Sequence, residues 1–146
     1  MLSKVSDETI TVNTPKSVES LLAKYSFVSD VYNASKQGEK ATPYTATYGV
    51  RELPRTMTAN EIENALATQG LRSATAHELL CFADVYPEAC NPALVAIGSG
   101  EHLRGHMGVP VVTIKPGGDS RADEMFVERL SAGTHVLAVK IEQTSR

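Results

Sequence analysis

The chain has 146 residues, of which 42% are hydrophobic and 21% charged, with a formal net charge of −3. That length suits one domain with a sizeable core, the apolar content excludes wholesale disorder, and the acidic balance excludes a general electrostatic footprint for long nucleic acid. Two cysteines, Cys81 and Cys90, are too few for a disulfide framework and fit a reducing compartment. No apolar run approaches the roughly 20 residues of a membrane span, and the first residues lack the apolar core of a signal peptide, so a cytoplasmic protein without a membrane partner is expected.

The β-branched run Thr9-Ile10-Thr11-Val12 predicts a strand. Thr14-Pro15 follows as an N-cap with proline at the first helical position, and Val18, Leu21, Leu22 and Tyr25 carry helical spacing, so a helix is expected from Pro15 to Lys24. Phe27 to Tyr32 reads as a second strand. Residues 33–42 are small or charged and predict a flexible loop. From Pro43 to Val50, Tyr44, Ala46, Tyr48 and Val50 alternate with Thr45, Thr47 and Gly49, the period of a half-buried strand. Arg51 to Met57 holds Pro54 and should be irregular.

Two capping boxes come next, Thr58-Ala-Asn-Glu61 and Thr75-Ala-His-Glu78. In each, the threonine hydroxyl takes a backbone N–H three residues on while the glutamate reaches back. Ile62, Ala65 and Leu66 give the first helix its apolar stripe, and Gly70 stands where its end needs a left-handed residue. Leu79, Leu80, Phe82 and Ala83 line the second, which should run through Val85. The short interval between the boxes predicts a central helix pair joined by a loop. Beyond Pro87 and Pro92, Leu94 to Ile97 is an unbroken apolar strand, and Val109 to Ile114 another, ended by the turn Pro116-Gly117-Gly118-Asp119. Met125 to Leu130 fits either period and leans towards a strand, since Ser131-Ala132-Gly133 suits a hairpin loop leading into the strand His135 to Ile141. The expected fold is α/β of the α+β kind: a single compact domain, residues 1–146, with a mixed sheet and two to three helices.

Between two of these strands, Gly98-Ser99-Gly100 is followed by Gly105 and Gly108, with His102, Arg104 and His106 among them. Glycines after a buried strand let backbone N–H groups approach a phosphate or carboxylate, with Ser99 and Arg104 adding a hydroxyl and a charge. The spacing matches neither a dinucleotide fingerprint nor a Walker loop. His102 and His106 lie four apart, but a metal needs three or four ligands and no third stands beside them. His77 and Cys81, also four apart, would need an orienting group to act as base and nucleophile, and a thiol beside Leu80 and Phe82 is ordinarily an inert core group. Arg51, Arg55, Arg72 and Arg104 gain meaning only where two converge. Phe82 offers a stacking face or a core ring, and Asn91, before Pro92, offers polar edges or turn chemistry.

The order Leu71-Arg72-Ser73-Ala74-Thr75, Glu78 to Ala83, Tyr86-Pro87, Val95 to Ser99, Val109-Pro110 and Val136 to Lys140 resembles a group of small uncharacterised phage and bacterial proteins. The layout of Phe82, Asn91 and a downstream arginine is also similar to the phage-encoded Thoeris anti-defence sponge proteins. That resemblance implies a homo-oligomer with pockets between subunits, which sequesters a cyclic ADP-ribose-like or cyclic oligonucleotide signal without cleaving it. No cofactor is expected, and no metal. On this reading Arg104 and Arg72 neutralise phosphate, Ser99 and Gly100 hydrogen-bond it, Phe82 packs on a base or ribose, and Asn91 reads polar edges. Two alternatives stay open: a small phosphoester hydrolase using His77, His102 or His106 as base, and a structural or interaction module of a phage particle.

Overall fold

The computed structural model describes residues 3–12, 21–23, 25–28, 44–90, 93–97, 101–103, 106–114, 120–127 and 129–140. The strands are β1 (Ser3–Val12), β2 (Phe27–Val28), β3 (Tyr44–Glu52), β4 (Met57–Thr58), β5 (Leu71–Ser73), β6 (Leu94–Val95), β7 (Glu101–Leu103), β8 (His106–Ile114), β9 (Ser120–Val127), β10 (Arg129–Leu130) and β11 (His135–Lys140). Helices α1 (Ala59–Thr68) and α2 (Ala76–Val85) lie among them, and Pro87–Cys90 forms a 3-10 turn. Among the described residues, nine strands form one mixed sheet in the order β1-β3-β11-β6-β8-β9-β2, with β5 also on β11 and β7 also on β8, while β4 and β10 make a separate ribbon. The fold is α+β, a mixed sheet with helices α1 and α2 among the described residues, as the sequence predicts.

Both helices start where a threonine and a glutamate satisfy each other's backbone N–H groups. Gly70 ends α1 at φ +74°, the conformation that glycine adopts without a Cβ penalty. The helices cover opposite faces of the sheet. Leu79, Leu80, Phe82 and Ala83 of α2 join Tyr48, Val50, Leu137, Val139, Leu94 and Val112 in one core. Ile62 and Leu66 of α1 join Leu53, Met57, Val136, Ala138, Val95, Ile97, Val109 and Val111 in the other. Alternate residues of β11 and of the Leu94 to Ile97 run therefore feed two cores, which is why these stretches are apolar throughout.

Several local expectations change. The interval between the helices carries β5, which pairs with β11, so α1 and α2 are separated by a strand and by the sheet itself. The Ser131 to Gly133 turn forms, with Gly133 at φ +86° and the Thr134 N–H donating to Ser131 O at 3.2 Å. It does not close a hairpin: β10 pairs with β4, whereas β11 pairs with β3, β5 and β6. Leu53 holds the turn, its N–H donating to Thr134 O at 3.0 Å and its carbonyl accepting from Gly133 N at 2.8 Å. Met125 to Val127 end β9, and the glycine-rich stretch contributes β7 and the start of β8 in place of a continuous loop. Leu21 and Leu22 are helical and buried. The remainder of the Pro15 to Lys24 helix other than Ala23, residues 29–32 of the second strand, the 33–42 loop and the 116–119 turn lie outside the described residues.

A Cβ built on Gly70 meets nothing within 4 Å, so only backbone strain opposes a side chain there. Gly70→Ala should cost about 1 kcal/mol of stability, read as a lower urea midpoint at constant slope; an unchanged midpoint would show that the end of α1 relaxes freely.

Candidate functional site

Ser99, Gly100, Arg104 and Asn91 lie outside the described residues. Phe82 is 1% exposed, with its ring centroid 5.5 Å from that of Tyr48 and 5.2 Å from that of Tyr86. Its stacking partners are thus core aromatics, and the ring is not presented to a ligand. Arg72 is likewise committed to the fold: its guanidinium donates to both carboxylate oxygens of Glu78, at 2.9 and 2.7 Å, and to Ser73 O at 3.1 Å. Glu78 is 1% exposed and also accepts the Thr75 N–H at 2.9 Å. A carboxylate so buried requires a cation with matching geometry, and the two-pronged guanidinium supplies it. The charge that was expected to meet phosphate is balanced by this carboxylate.

Arg51 and Arg55 have partners of their own. Arg51 is 7% exposed and donates from Nε to Gln69 Oε1 at 2.9 Å. It stands opposite Val136 in the ladder, on the α1 side, whereas Arg72 stands opposite Val139, on the α2 side. Arg55 is exposed and lies 3.7 Å from Glu61. His77, Cys81 and Cys90 are all buried. His102 pairs with Met107, and Leu103 with His106, so the two histidines occupy adjacent rungs of the β7–β8 ladder. Among the described residues, no group of three or more His, Cys, Asp and Glu is placed to hold a metal ion.

What the sequence did not reveal is a division of the sheet. Val95 of β6 pairs with Val136 on one side, in parallel, and with Val111 on the other, antiparallel. The Ala96 N–H still reaches Pro110 O at 3.1 Å. Beyond that point β5 takes the edge of β11, pairing Ser73 with Ala138, while β7 takes the edge of β8, pairing Glu101 with Gly108. Two branches therefore part after β6, at the carboxyl ends of the parallel pair β6 and β11, and residues 98–100 follow directly in the chain. In open parallel α/β sheets, ligands enter crevices outside the strand carboxyl ends, and the parallel β6–β11 pair reproduces that geometry here at one rung. Ser73, on the β5 branch, adds a buried hydroxyl with no hydrogen-bond partner. Its signal in the sequence was a polar residue between Leu71 and Ala74, too short a pattern to show a strand.

Compared with family models, curated proteins and solved structures, the chain matches none. No helix among the described residues is long and apolar enough to cross a membrane.

Removing Arg72 leaves the Glu78 carboxylate in the core without its cation. Because the arginine side chain is 44% exposed and water can enter behind it, Arg72→Ala should destabilise by about 3 kcal/mol, the low end for a broken buried pair. Denaturant unfolding would show this, and a variant as stable as the wild type would return Arg72 to a ligand role. Burial pushes the Tyr25 phenol well above its ordinary value, with the charges of Cys90 and Asp84 acting in the same direction. Because the folded phenol keeps its proton to higher pH than the unfolded one, its contribution is whole below about pH 10 and is lost as pH rises further, at up to about 1.4 kcal/mol per unit. Melting curves above pH 10 should fall more steeply for the wild type than for Tyr25→Phe; parallel curves would place the phenol in water.

Proposed function

We propose that the protein is a non-enzymatic binder that sequesters a small anionic, nucleotide-type molecule where its sheet divides. The supporting observation is topological: a two-residue strand joins the halves of the sheet, and in the sequence Gly98-Ser99-Gly100 begins three residues after that strand ends. Backbone N–H groups around Ser99 and Gly100, with Arg104, are the groups assigned to the anion, and Asn91 to polar edges. Phe82 and Arg72 leave the contact set, Phe82 to pack against Tyr48 and Tyr86 and Arg72 to hold Glu78. Burial of His77, Cys81 and Cys90 favours retention of a ligand over turnover. The resemblance of the Leu71 to Lys140 pattern directs the ligand class to cyclic ADP-ribose-like and cyclic oligonucleotide signals, as in a phage anti-defence sponge.

Calorimetry at micromolar protein with cyclic ADP-ribose isomers and cyclic oligonucleotides should give heat with at least one, and the nucleotide should be recovered unaltered after long incubation. No heat with any of them removes the proposal. A chemically changed nucleotide replaces it with the hydrolase reading.

A further inference from the structure

Ser73 is 9% exposed, and its Oγ is buried without a hydrogen-bond partner. Its place in the ladder, opposite Ala138, puts it on the α1 face, where Leu71, Val95, Ile97, Val109 and Ala138 form one apolar cluster. A hydroxyl held there without a partner forfeits the hydrogen bonds it made to water, whereas alanine would carry no such penalty. Buried hydroxyls in native proteins overwhelmingly have partners, so one that finds none among the described residues points to a partner from outside them.

Position narrows the choice. Val95 pairs with Val136 and Ser73 with Ala138, so Ser73 follows β6 along the same edge of β11, two residues or roughly 7 Å further on. Ile97, the last described residue before the division, belongs to the same cluster. We infer that Ser73 Oγ is a ligand contact, hydrogen-bonding an uncharged polar atom of the nucleoside part of the guest, a ribose hydroxyl or a base carbonyl. An uncharged group is specified because the surroundings are apolar and the adjacent guanidinium of Arg72 is balanced by Glu78 on the other face. The inference rests on the nucleotide-binding reading and deepens it, since a desolvated hydroxyl discriminates strongly against analogues that leave it unmatched. The hydroxyl rotates and can donate or accept, so either ligand atom satisfies it.

Ser73→Ala separates the two claims. Without ligand, the variant should melt about 2–4 °C above the wild type, because an unmet hydroxyl has been removed; a lower melting temperature overturns the inference by showing that the hydroxyl has a partner within the fold. In calorimetry with cyclic ADP-ribose, or whichever nucleotide of the panel binds, affinity should fall about tenfold. Equal affinity overturns the inference and leaves the binding reading standing, whereas absence of heat with the wild type removes both. A crystal structure of the wild-type complex with only an ordered water on Ser73 Oγ also overturns it.

Discussion

A carboxylate at 1% exposure is the constraint on which much of this architecture turns. Glu78 is the last residue of the capping box that begins at Thr75, a position ordinarily wet; its counterpart in the other box, Glu61, is exposed and held below the usual carboxylate range chiefly by the Thr58 backbone N–H. In α2 the same motif is driven into the core because the helix lies with its first turn on the sheet. Burial converts a local cap into a tertiary tie: one oxygen takes the Thr75 N–H, and both take the guanidinium of Arg72 from β5. The tie fixes α2 to the strand that displaces β6 from the edge of β11, and so helps to set where the sheet divides.

The two capped helices were legible because capping chemistry closes within four residues and needs nothing from the rest of the chain. The same holds for β3, whose alternation of Tyr48 and Val50 against Thr47 and Gly49 spans enough residues to establish a period. Strand β5 was hidden by its length: three residues cannot show alternation, and they sat between two strong helix signals. The Ser131 to Gly133 turn was readable, but which strands it joined was not, because that is decided by Leu53, some eighty residues earlier, accepting and donating across the turn. Local chemistry specifies a turn, while long-range hydrogen bonds choose its partners.

The site was legible in the same uneven way. Arg72 stands out in the sequence as an arginine outside a helix, yet its partner lies six residues on, inside a capping box. Only the tertiary fact that α2 buries its first turn turns those two observations into a salt bridge. Phe82 shared the ambiguity of any aromatic on an apolar helix face, and Tyr48 and Tyr86 resolve it in favour of packing.

A division in a sheet is a place where backbone groups lose their ladder partners, so the cost of opening must be offset nearby. Here the offset is visible on both branches: β5 pairs with β11 and β7 with β8, so each outer strand recovers one side of its hydrogen bonding. What neither branch satisfies is the Ser73 hydroxyl, which faces an apolar cluster fed by both halves of the sheet. Selection for stability alone would replace that serine with alanine, since the change fills nearly the same volume and removes an unmet donor. A polar group kept at such a point is better accounted for by something that arrives than by the fold that surrounds it.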